Sequence, residues 1–302
     1  MEQGIAICTI SSQSHLYKTQ ALWATLQGKT TAEFHCLVTD VSKVDPAPGC
    51  TFHYLSELTS DEADKIKKKY TGNRLRWALK PVFMMYLLEQ GYDSVIYTDN
   101  DIGFVASPDF LFEKLTATAL LLTPHYYPAD PQKDQNWLEA NYRVGLYNGG
   151  FVGANKTAIP ALKWWAECCI YNVKKSYRRG LFDDQKYLDM VPVLFNGVEV
   201  LAHKGCNVAG WNLVSSPRSK NAAGELLLDN LWPLVFIHYN YYTIQCILRG
   251  KDPLLLPYWN TYHDLLRQYN PAYQVNKDIR SASRDLRQYF DYIRYRLARL
   301  AE

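Results

Sequence analysis

The sequence predicts an α/β fold built on a sheet whose N-terminal half is parallel. An apolar strand over residues 4–10 gives way to a Ser-rich turn, a helical pattern to Leu26 and a second strand over 33–40. A β-turn-α-β order of this kind is typical of parallel sheets. A second apolar run, over residues 95–97, leads into two carboxylates, Asp99 and Asp101. Because open α/β sheets bind ligands just beyond the carboxyl ends of buried strands, we expect a ligand site there.

Composition excludes several classes of function. With 302 residues, 48% hydrophobic and 21% charged, the chain is typical of globular proteins, and its net charge of +3 argues against nucleic-acid binding. The sequence shows no basic leader and no apolar run of about eighteen residues, which predicts a cytoplasmic protein that neither is secreted nor spans a membrane. The seven scattered cysteines are expected to be reduced thiols packed as small hydrophobic side chains.

The two carboxylates form an Asp-x-Asp motif. Oxygen ligands at this spacing suit a hard divalent cation such as Mg²⁺ or Mn²⁺, which proteins hold by one or two carboxylates together with substrate phosphates. On the motif alone, a solvated turn is an equal alternative, because Asp-x-Asp is short and common in loops.

The longer stretch around the motif resembles a known family. A hydrophobic strand, Tyr-Thr-Asp-Asn-Asp-Ile at 97–102 and Ser-Pro-Asp at 107–109 are similar to the Asp-x-Asp region of GT-A glycosyltransferases, especially the retaining enzymes of family 8. The resemblance implies a Rossmann-like nucleotide-diphospho-sugar transferase fold with a mixed central sheet. It also implies Mn²⁺ or Mg²⁺ held by Asp99 and Asp101, and a nucleotide-sugar donor, such as a UDP-sugar, contacted by Asn100.

In that family the N-terminal half binds the nucleotide. The resemblance carries this role to Thr9, Ser11 and Tyr17 near the first strand end and to Asp40 at the end of the second. The alternative is that these hydroxyls cap the first helix, for which Ser11 or Ser14 is suited, and that Tyr17 belongs to the core.

A helix predicted over residues 74–90 runs directly into the strand before Asp99. Arg76 and Lys80 are four residues apart and therefore share a helix face. In the family a basic residue here contacts the donor phosphates or sugar, and these two are the candidates. The alternative is that both are solvated surface side chains.

Two later segments match family motifs beside the donor sugar. Asn148 and Gly149 belong to an Asn-x-Gly segment on a predicted strand, where glycine permits close backbone approach. Asp184 and Gln185 resemble the Asp-Gln motif on the reacting face of the sugar, which implies catalytic roles, with Asp183 beside them at the donor. Without the family, Asp183 and Asp184 are interpreted as a helix N-cap pair.

The third metal ligand implied by the family is a late histidine. His238 occupies that place at the end of an apolar strand, and His203 is the rival candidate. The family continues to a glycine and a phosphate-binding lysine, where this chain has Tyr241 and Tyr242 instead. The chain therefore departs from the family pattern at the phosphate lysine.

The sequence divides into a GT-A catalytic domain, 1–245, and a C-terminal helical extension, 246–302. The extension carries an apolar stripe between Ile279 and Leu300 with six arginines around it, which predicts a helix that docks on the body or lies on an anionic membrane surface. The catalytic domain also contains a long polar, aromatic stretch over 124–145, interpreted as a loop in which His125 bonds its own loop or contacts an acceptor.

Together these inferences predict a metal-dependent, retaining glycosyltransferase of the hexosyltransferase type. It would move a sugar from a nucleotide-diphosphate donor to a glycan or lipid-linked acceptor, with possible peripheral contact to the cytoplasmic face of a membrane. A nucleotidyltransferase acting on sugar phosphates is the second hypothesis, although the Ser-rich turn at 11–14 lacks the glycines of its usual phosphate loop. A non-catalytic protein that binds nucleotide sugars or carbohydrates is the third.

Overall fold

The structure, a computed structural model, describes residues 4–275. The apolar stripe of the tail lies outside these residues, so its docking or membrane role stays a prediction. The strands are β1 (Ile5–Ser11), β2 (Glu33–Val38), β3 (Cys50–Tyr54), β4 (Ser94–Thr98), β5 (Ile102–Phe104), β6 (Leu120–Pro124), β7 (Tyr147–Asn155), β8 (Val198–Val200), β9 (Arg218–Lys220), β10 (Leu226–Leu228), β11 (Trp232–Pro233) and β12 (Phe236–His238).

The helices alternate with these strands. The α-helices are α1 (Leu16–Leu26), α2 (Asp61–Lys69), α3 (Gly72–Glu89), α4 (Asp109–Leu115), α5 (Gln135–Arg143), α6 (Ile159–Tyr171), α7 (Val191–Leu194), α8 (Tyr241–Leu248) and α9 (Leu256–Tyr269). Short 3₁₀ helices are Gln13–His15, Leu55–Glu57, Lys156–Ala158, Tyr177–Arg179, Gln185–Met190, Gly210–Asn212 and Pro253–Leu255.

The central sheet within residues 4–275 has seven strands in the order β3-β2-β1-β4-β7-β6-β8. Strand β1 pairs in parallel with both β2 and β4, whereas β7 runs antiparallel to β4 and to β6. The predicted β-α-β opening and the mixed character of the sheet are therefore confirmed.

Hydrophobic cores cover both faces of this sheet, which explains why β4 is apolar throughout. Successive side chains of a strand point to opposite faces. Val95 and Tyr97 pack in the core with α3 and α6, and Ile96 packs in the other core with α1 and α4. A strand buried on both faces must be hydrophobic at every position.

A small ribbon stands next to the carboxyl end of β4. It consists of β5, which begins directly after Asp101, and β12, which runs antiparallel to it with His238 opposite Ile102. The backbone N–H of Tyr239 donates to the carbonyl of Asp101 over 2.7 Å. The ribbon therefore fixes the end of β12 against the Asp-x-Asp segment.

Several predicted boundaries were wrong. Helix α6 ends at Tyr171 and not near residue 177, because Asn172 takes an extended backbone conformation. The stretch predicted as a loop, 124–145, contains α5, whose first turn is capped by the Asp134 carboxylate accepting from the Trp137 N–H over 3.1 Å. His125 bonds its own segment, with its Nδ1 3.0 Å from the Gly145 carbonyl.

Two composition-based expectations can be compared with the described residues. All seven cysteines are free, and five of them are buried, as predicted for reduced thiols packed as hydrophobic side chains. Among residues 4–275, every helix is too short or too polar to cross a membrane.

Candidate active site

The two carboxylates of the Asp-x-Asp motif and one histidine converge at the carboxyl end of β4. Asp99 and Asp101 follow the strand directly, and His238 is the last residue of β12. One ligand atom from each lies within 4.8 Å of the others, and no other cluster of three such residues occurs in the part of the chain that is described. The residues predicted as metal ligands thus lie together, and their role as ligands stays a prediction.

Gly150 on β7 keeps the space between these residues open. A Cβ atom there would lie 2.6 Å from Asp99 Oδ2 and 2.9 Å from His238 Cε1, closer than real contacts allow. Two carboxylates and an imidazole around such a space fit a divalent cation.

The rival histidine lies elsewhere. The ring of His203 is 4.7 Å from that of Trp232 and 5.3 Å from that of Phe110, centroid to centroid. Burial lowers its pKa, as expected for a neutral aromatic packing residue. His203 therefore contributes to packing between elements and not to the Asp99 cluster.

His238 and Asp101 form a pair at the edge of the cleft, in which His238 is buried and Asp101 is half-buried. Their Nε2 and Oδ1 atoms are 3.2 Å apart. Burial opposes the charge on the imidazole, but the carboxylates of Asp101 and Asp99 outweigh it and raise the pKa of His238. Burial likewise opposes ionisation of Asp101, yet His238 outweighs it and lowers the pKa of Asp101 to about 2. A bound cation would replace the proton on Nε2.

Two asparagines hold the opposite nitrogen of His238. Nδ1 is 3.0 Å from Asn148 Nδ2 and 3.3 Å from Asn207 Oδ1, and the Asn148 amide donates to Asn207 Oδ1 over 2.7 Å. With the ring proton on Nε2, Asn148 Nδ2 donates to Nδ1. If Nε2 binds a metal, Nδ1 carries the proton, the bond from Asn148 is lost, and Asn207 Oδ1 is the acceptor available to Nδ1. Asn148, predicted to contact the donor sugar, is here 3% exposed and bonded to the histidine.

Lys80 lies beneath the same cluster and is 3% exposed. Its Nζ is 3.3 Å from Asp99 Oδ1 and 3.1 Å from Asp184 Oδ2, and it donates to the Gly149 carbonyl over 2.9 Å. Burial works against its charge, but the two carboxylates outweigh this and raise the pKa of Lys80. The Lys80 ammonium is thus already bonded to protein groups. A phosphate contact by Lys80 stays an untested prediction.

The predicted N-cap interpretation of the acidic pair is wrong. Asp184 precedes the 3₁₀ helix Gln185–Met190, but its side chain caps nothing and pairs with Lys80 instead. Asp183 has a left-handed backbone, with φ of 49°, and its Oδ2 lies 3.3 Å from Lys175 Nζ. Gly149 is required here, because a Cβ would lie 2.7 Å from Asp184 Oδ2. Gln185 is half-buried and more accessible than Asp184.

A cleft of about 230 Å³ opens over the carboxyl end of β4. Its floor contains Asp99, Asn100 and Asp101, and Arg76 projects from α3 into its wall. The remaining lining residues are Ile10, His15, Asn73, Trp77 and Tyr97. Of the two basic candidates on α3, Arg76 therefore reaches the open space.

Three other residues predicted to bind the nucleotide differ in their hydrogen bonds. Ser11 accepts from the Asn100 side chain over 3.1 Å, so these two meet. Asp40 accepts from the Gln13 N–H over 2.8 Å at the next strand end. Thr9 is fully buried in β1, and within residues 4–275 its hydroxyl has no hydrogen-bond partner.

Tyr17 lies in a neighbouring hydrophobic cluster formed with α8 and α9. Its ring is 5.7 Å from that of Tyr273. The alternative that Tyr17 belongs to the core fits this packing. Ser11 and Ser14 do not cap α1, which begins after His15 without a side-chain cap.

Sequence reasoning missed two supporting residues. Tyr97 donates its hydroxyl to Asp99 Oδ1 over 2.8 Å, and the family motif included it only as part of a strand. Asn207 adopts the left-handed backbone, with φ of 62°, and its amide also donates to the Pro124 carbonyl over 3.0 Å. Gly205 lies two residues before Asn207, but nothing in the sequence linked this segment to His238.

Two proteins of Bacillus subtilis strain 168 are similar to this chain in sequence. The chain is 28% identical over 249 residues to the uncharacterized protein YfnD of Bacillus subtilis strain 168, covering 78% of this chain and 77% of that protein. It is 27% identical over 258 residues to YfnF of the same strain, covering 82% and 84%. No protein-family model matches the chain.

Among solved structures, mouse xyloside xylosyltransferase 1 in its apo form is similar with a TM-score of 0.50 and 14% identity. The match covers 79% of this chain and 98% of that one. Together with the sheet order and the Asp-x-Asp cluster, this similarity establishes that the chain has the GT-A fold predicted from its sequence.

Proposed function

We propose that this protein is a metal-dependent glycosyltransferase that takes its sugar from a nucleotide-diphosphate donor such as a UDP-sugar. The observation that carries the proposal is the convergence of Asp99, Asp101 and His238 around the open space at Gly150. In an α/β sheet this is the edge where nucleotide ligands bind. The name of the similar xylosyltransferase supports sugar transfer as the activity class.

Asp99, Asp101 and His238 would hold Mn²⁺ or Mg²⁺. When bound, such an ion neutralises charge that develops on a leaving diphosphate. Arg76 lines the same cleft and supplies a further positive charge toward phosphate oxygens. Asn100 and Ser11, which are bonded to each other, are suited to contact the nucleoside part.

We propose retention of configuration, with Gln185 and not an aspartate facing the sugar. Asp184 is 3% exposed and paired with Lys80, so it is poorly placed as a nucleophile. The acceptor hydroxyl would attack the anomeric carbon from the face that the diphosphate leaves. The bond from that carbon to the diphosphate oxygen breaks, the bond to the acceptor oxygen forms, and the hydroxyl proton passes to the departing phosphate oxygen. The Gln185 carbonyl would stabilise the positive charge that develops on the sugar.

The test is the release of nucleoside diphosphate from a panel of nucleotide sugars with Mn²⁺, with and without excess EDTA. We expect release from at least one donor, its loss in EDTA and its recovery when Mn²⁺ is restored. Asp101→Asn should abolish this release, whereas the matched control Asp264→Asn, an exposed change on α9, should retain it. Absence of release from every donor, or release that EDTA does not affect, would overturn the proposal.

A further inference from the structure

A second, larger cleft adjoins the first. It has a volume of about 790 Å³ and shares Asn73 and Trp77 with the cleft over the Asp-x-Asp segment. We call it the basic cleft, because its charged lining consists of five basic residues and one acidic residue: Lys69, Arg74, Lys174, Lys175, Arg179 and Asp183.

The charge of the basic cleft is unusual for this chain. The whole protein carries a formal net charge of only +3. The five basic residues and one acidic residue that line the basic cleft give it a larger positive net charge than the whole chain has. A cleft lined by charge of one sign concentrates the field and attracts ligands of the opposite sign.

Three of the five cations already have partners in the protein. Lys69 donates to the Ile170 carbonyl over 2.6 Å at the end of α6. Arg179 donates to the Tyr171 hydroxyl over 2.6 Å. Lys175 is the third, through its ion pair with Asp183.

Arg74 and Lys174 remain available. Both are exposed, and within residues 4–275 neither side chain forms a hydrogen bond or ion pair. They come from different elements, α3 and the segment after α6, and so face the cleft from two sides. Trp77, half-buried between the two clefts, adds an aromatic surface on which a sugar ring can pack.

The position of the basic cleft indicates which substrate it would take. It contains none of Asp99, Asp101 and His238, so a metal-bound diphosphate belongs to the other cleft. That cleft, at about 230 Å³, is smaller than the roughly 300–1,000 Å³ typical of small-molecule sites, so bound substrates must extend beyond it. Asp183 lines the basic cleft and directly precedes Asp184 and Gln185, which brings this cleft next to the proposed point of transfer.

We propose that the basic cleft binds the acceptor and that the acceptor is an anionic glycan, whose sugar chain carries carboxylate or phosphate groups contacted by Arg74 and Lys174. This inference rests on the proposed function only where it identifies the bound glycan as the acceptor. The recognition itself is a property of the cleft and is measurable without turnover.

The experiment is titration calorimetry of the full chain with three tetrasaccharides of equal length: one containing glucuronate, one containing phosphodiesters and one neutral, maltotetraose. The protein variants are wild type, Arg74→Gln/Lys174→Gln and the matched control Lys220→Gln/Arg249→Gln, whose residues are exposed and line neither cleft. We expect an acidic tetrasaccharide to bind more tightly than the neutral one. The cleft variant should lose about 10-fold or more of that affinity, while the control keeps it.

Each outcome has a defined meaning. Preference for the glucuronate or for the phosphodiester probe identifies which anion the cleft recognises. Equal binding of the neutral probe, or unchanged affinity in the cleft variant, overturns the inference. UDP is titrated in parallel. If the cleft variant loses UDP affinity to the same extent, the cleft binds the nucleotide and the inference is overturned. Failure of the proposed function appears separately, as absence of Mn²⁺-dependent donor cleavage by wild type.

Discussion

Lys80 and Asp184 form an ion pair in which each side chain is only 4% exposed. The pair joins α3 to the segment after α6, and through Asp99 it reaches the proposed metal site. An ammonium placed beneath two carboxylates fixes their positions before any ligand arrives. The pair is therefore a structural support of the proposed site.

Replacement of Lys80 by Met should strongly destabilise the protein. The change keeps side-chain length but leaves Asp184 buried without its cation, and removal of one partner from a buried pair typically costs about 3–5 kcal/mol. Urea unfolding measures the loss in free energy. Lys65→Met, which breaks the exposed pair with Asp61, is the control and should cost less than about 1 kcal/mol. Similar small losses in both variants would show that Lys80 is dispensable.

Substitution of Asp101 by Asn should remove metal binding and should cost less stability than the Lys80 change, because Asp101 is only half-buried. The carboxylate pairs with His238 at the cleft and does not pack in a core. We expect Mn²⁺ affinity, measured by calorimetry, to fall by more than about 100-fold, together with donor cleavage. A variant that binds Mn²⁺ as wild type does would contradict the ligand assignment.

Gln185→Ala should affect turnover and not donor binding. If the amide stabilises only the transition state, kcat falls by about 10- to 1000-fold while the KM for the donor changes by a few-fold. The exposed change Gln132→Ala is the control. An unaltered kcat would exclude the proposed role of Gln185.

Ionisation of the buried Asp183 carboxyl should lower the free energy of unfolding as pH rises. Burial raises its pKa from 3.8 to about 6, with Lys175 opposing this, so the folded protein holds the proton to higher pH than the unfolded chain does. Its contribution to stability therefore decreases between about pH 4 and pH 6, by on the order of 2–3 kcal/mol.

The Asp183→Asn variant isolates this effect, because Asn also tolerates the left-handed backbone. Unfolding curves of the two proteins should agree near pH 4 and diverge above pH 6, with the variant more stable. A constant difference across this range would mean that Asp183 titrates as it does in the unfolded chain.

Asn207→Gly tests the support of His238. Glycine keeps the positive φ but removes the amide oxygen that faces Nδ1, and loss of such a partner typically lowers metal affinity about 10- to 100-fold. Asn230→Gly, at an exposed position with φ of 57°, is the control. Equal Mn²⁺ affinity in the two variants would leave Asn207 with a purely structural role.

The sequence predicted those features that depend on local pattern. Residues 95–97 had to be a buried strand because they are apolar without interruption, and the carboxylates after it followed from sheet geometry. The α5 helix was missed although Asp134 was available as its cap, because the surrounding proline and polar residues suggested a loop.

The partners of Lys80 were not predictable in this way. A lysine on a helix before a metal motif fits a phosphate contact and a buried ion pair equally well, and its ion pairs with Asp99 and Asp184 depend on how α3 packs against β4 and the Asp184 segment. Asn207 was missed for the same reason, since its contact with His238 depends on the tertiary fold.

The ribbon of β5 and β12 has a consequence for how such proteins evolve. Its register, with His238 opposite Ile102, sets the spacing between Asp101 and His238 through backbone hydrogen bonds. Neighbouring residues in a strand point to opposite faces, so a shift by one residue would turn the histidine away. Surface loops outside the ribbon can lengthen or change without altering that spacing. Selection can thus modify the surfaces around the clefts while the spacing of Asp101 and His238 is inherited intact.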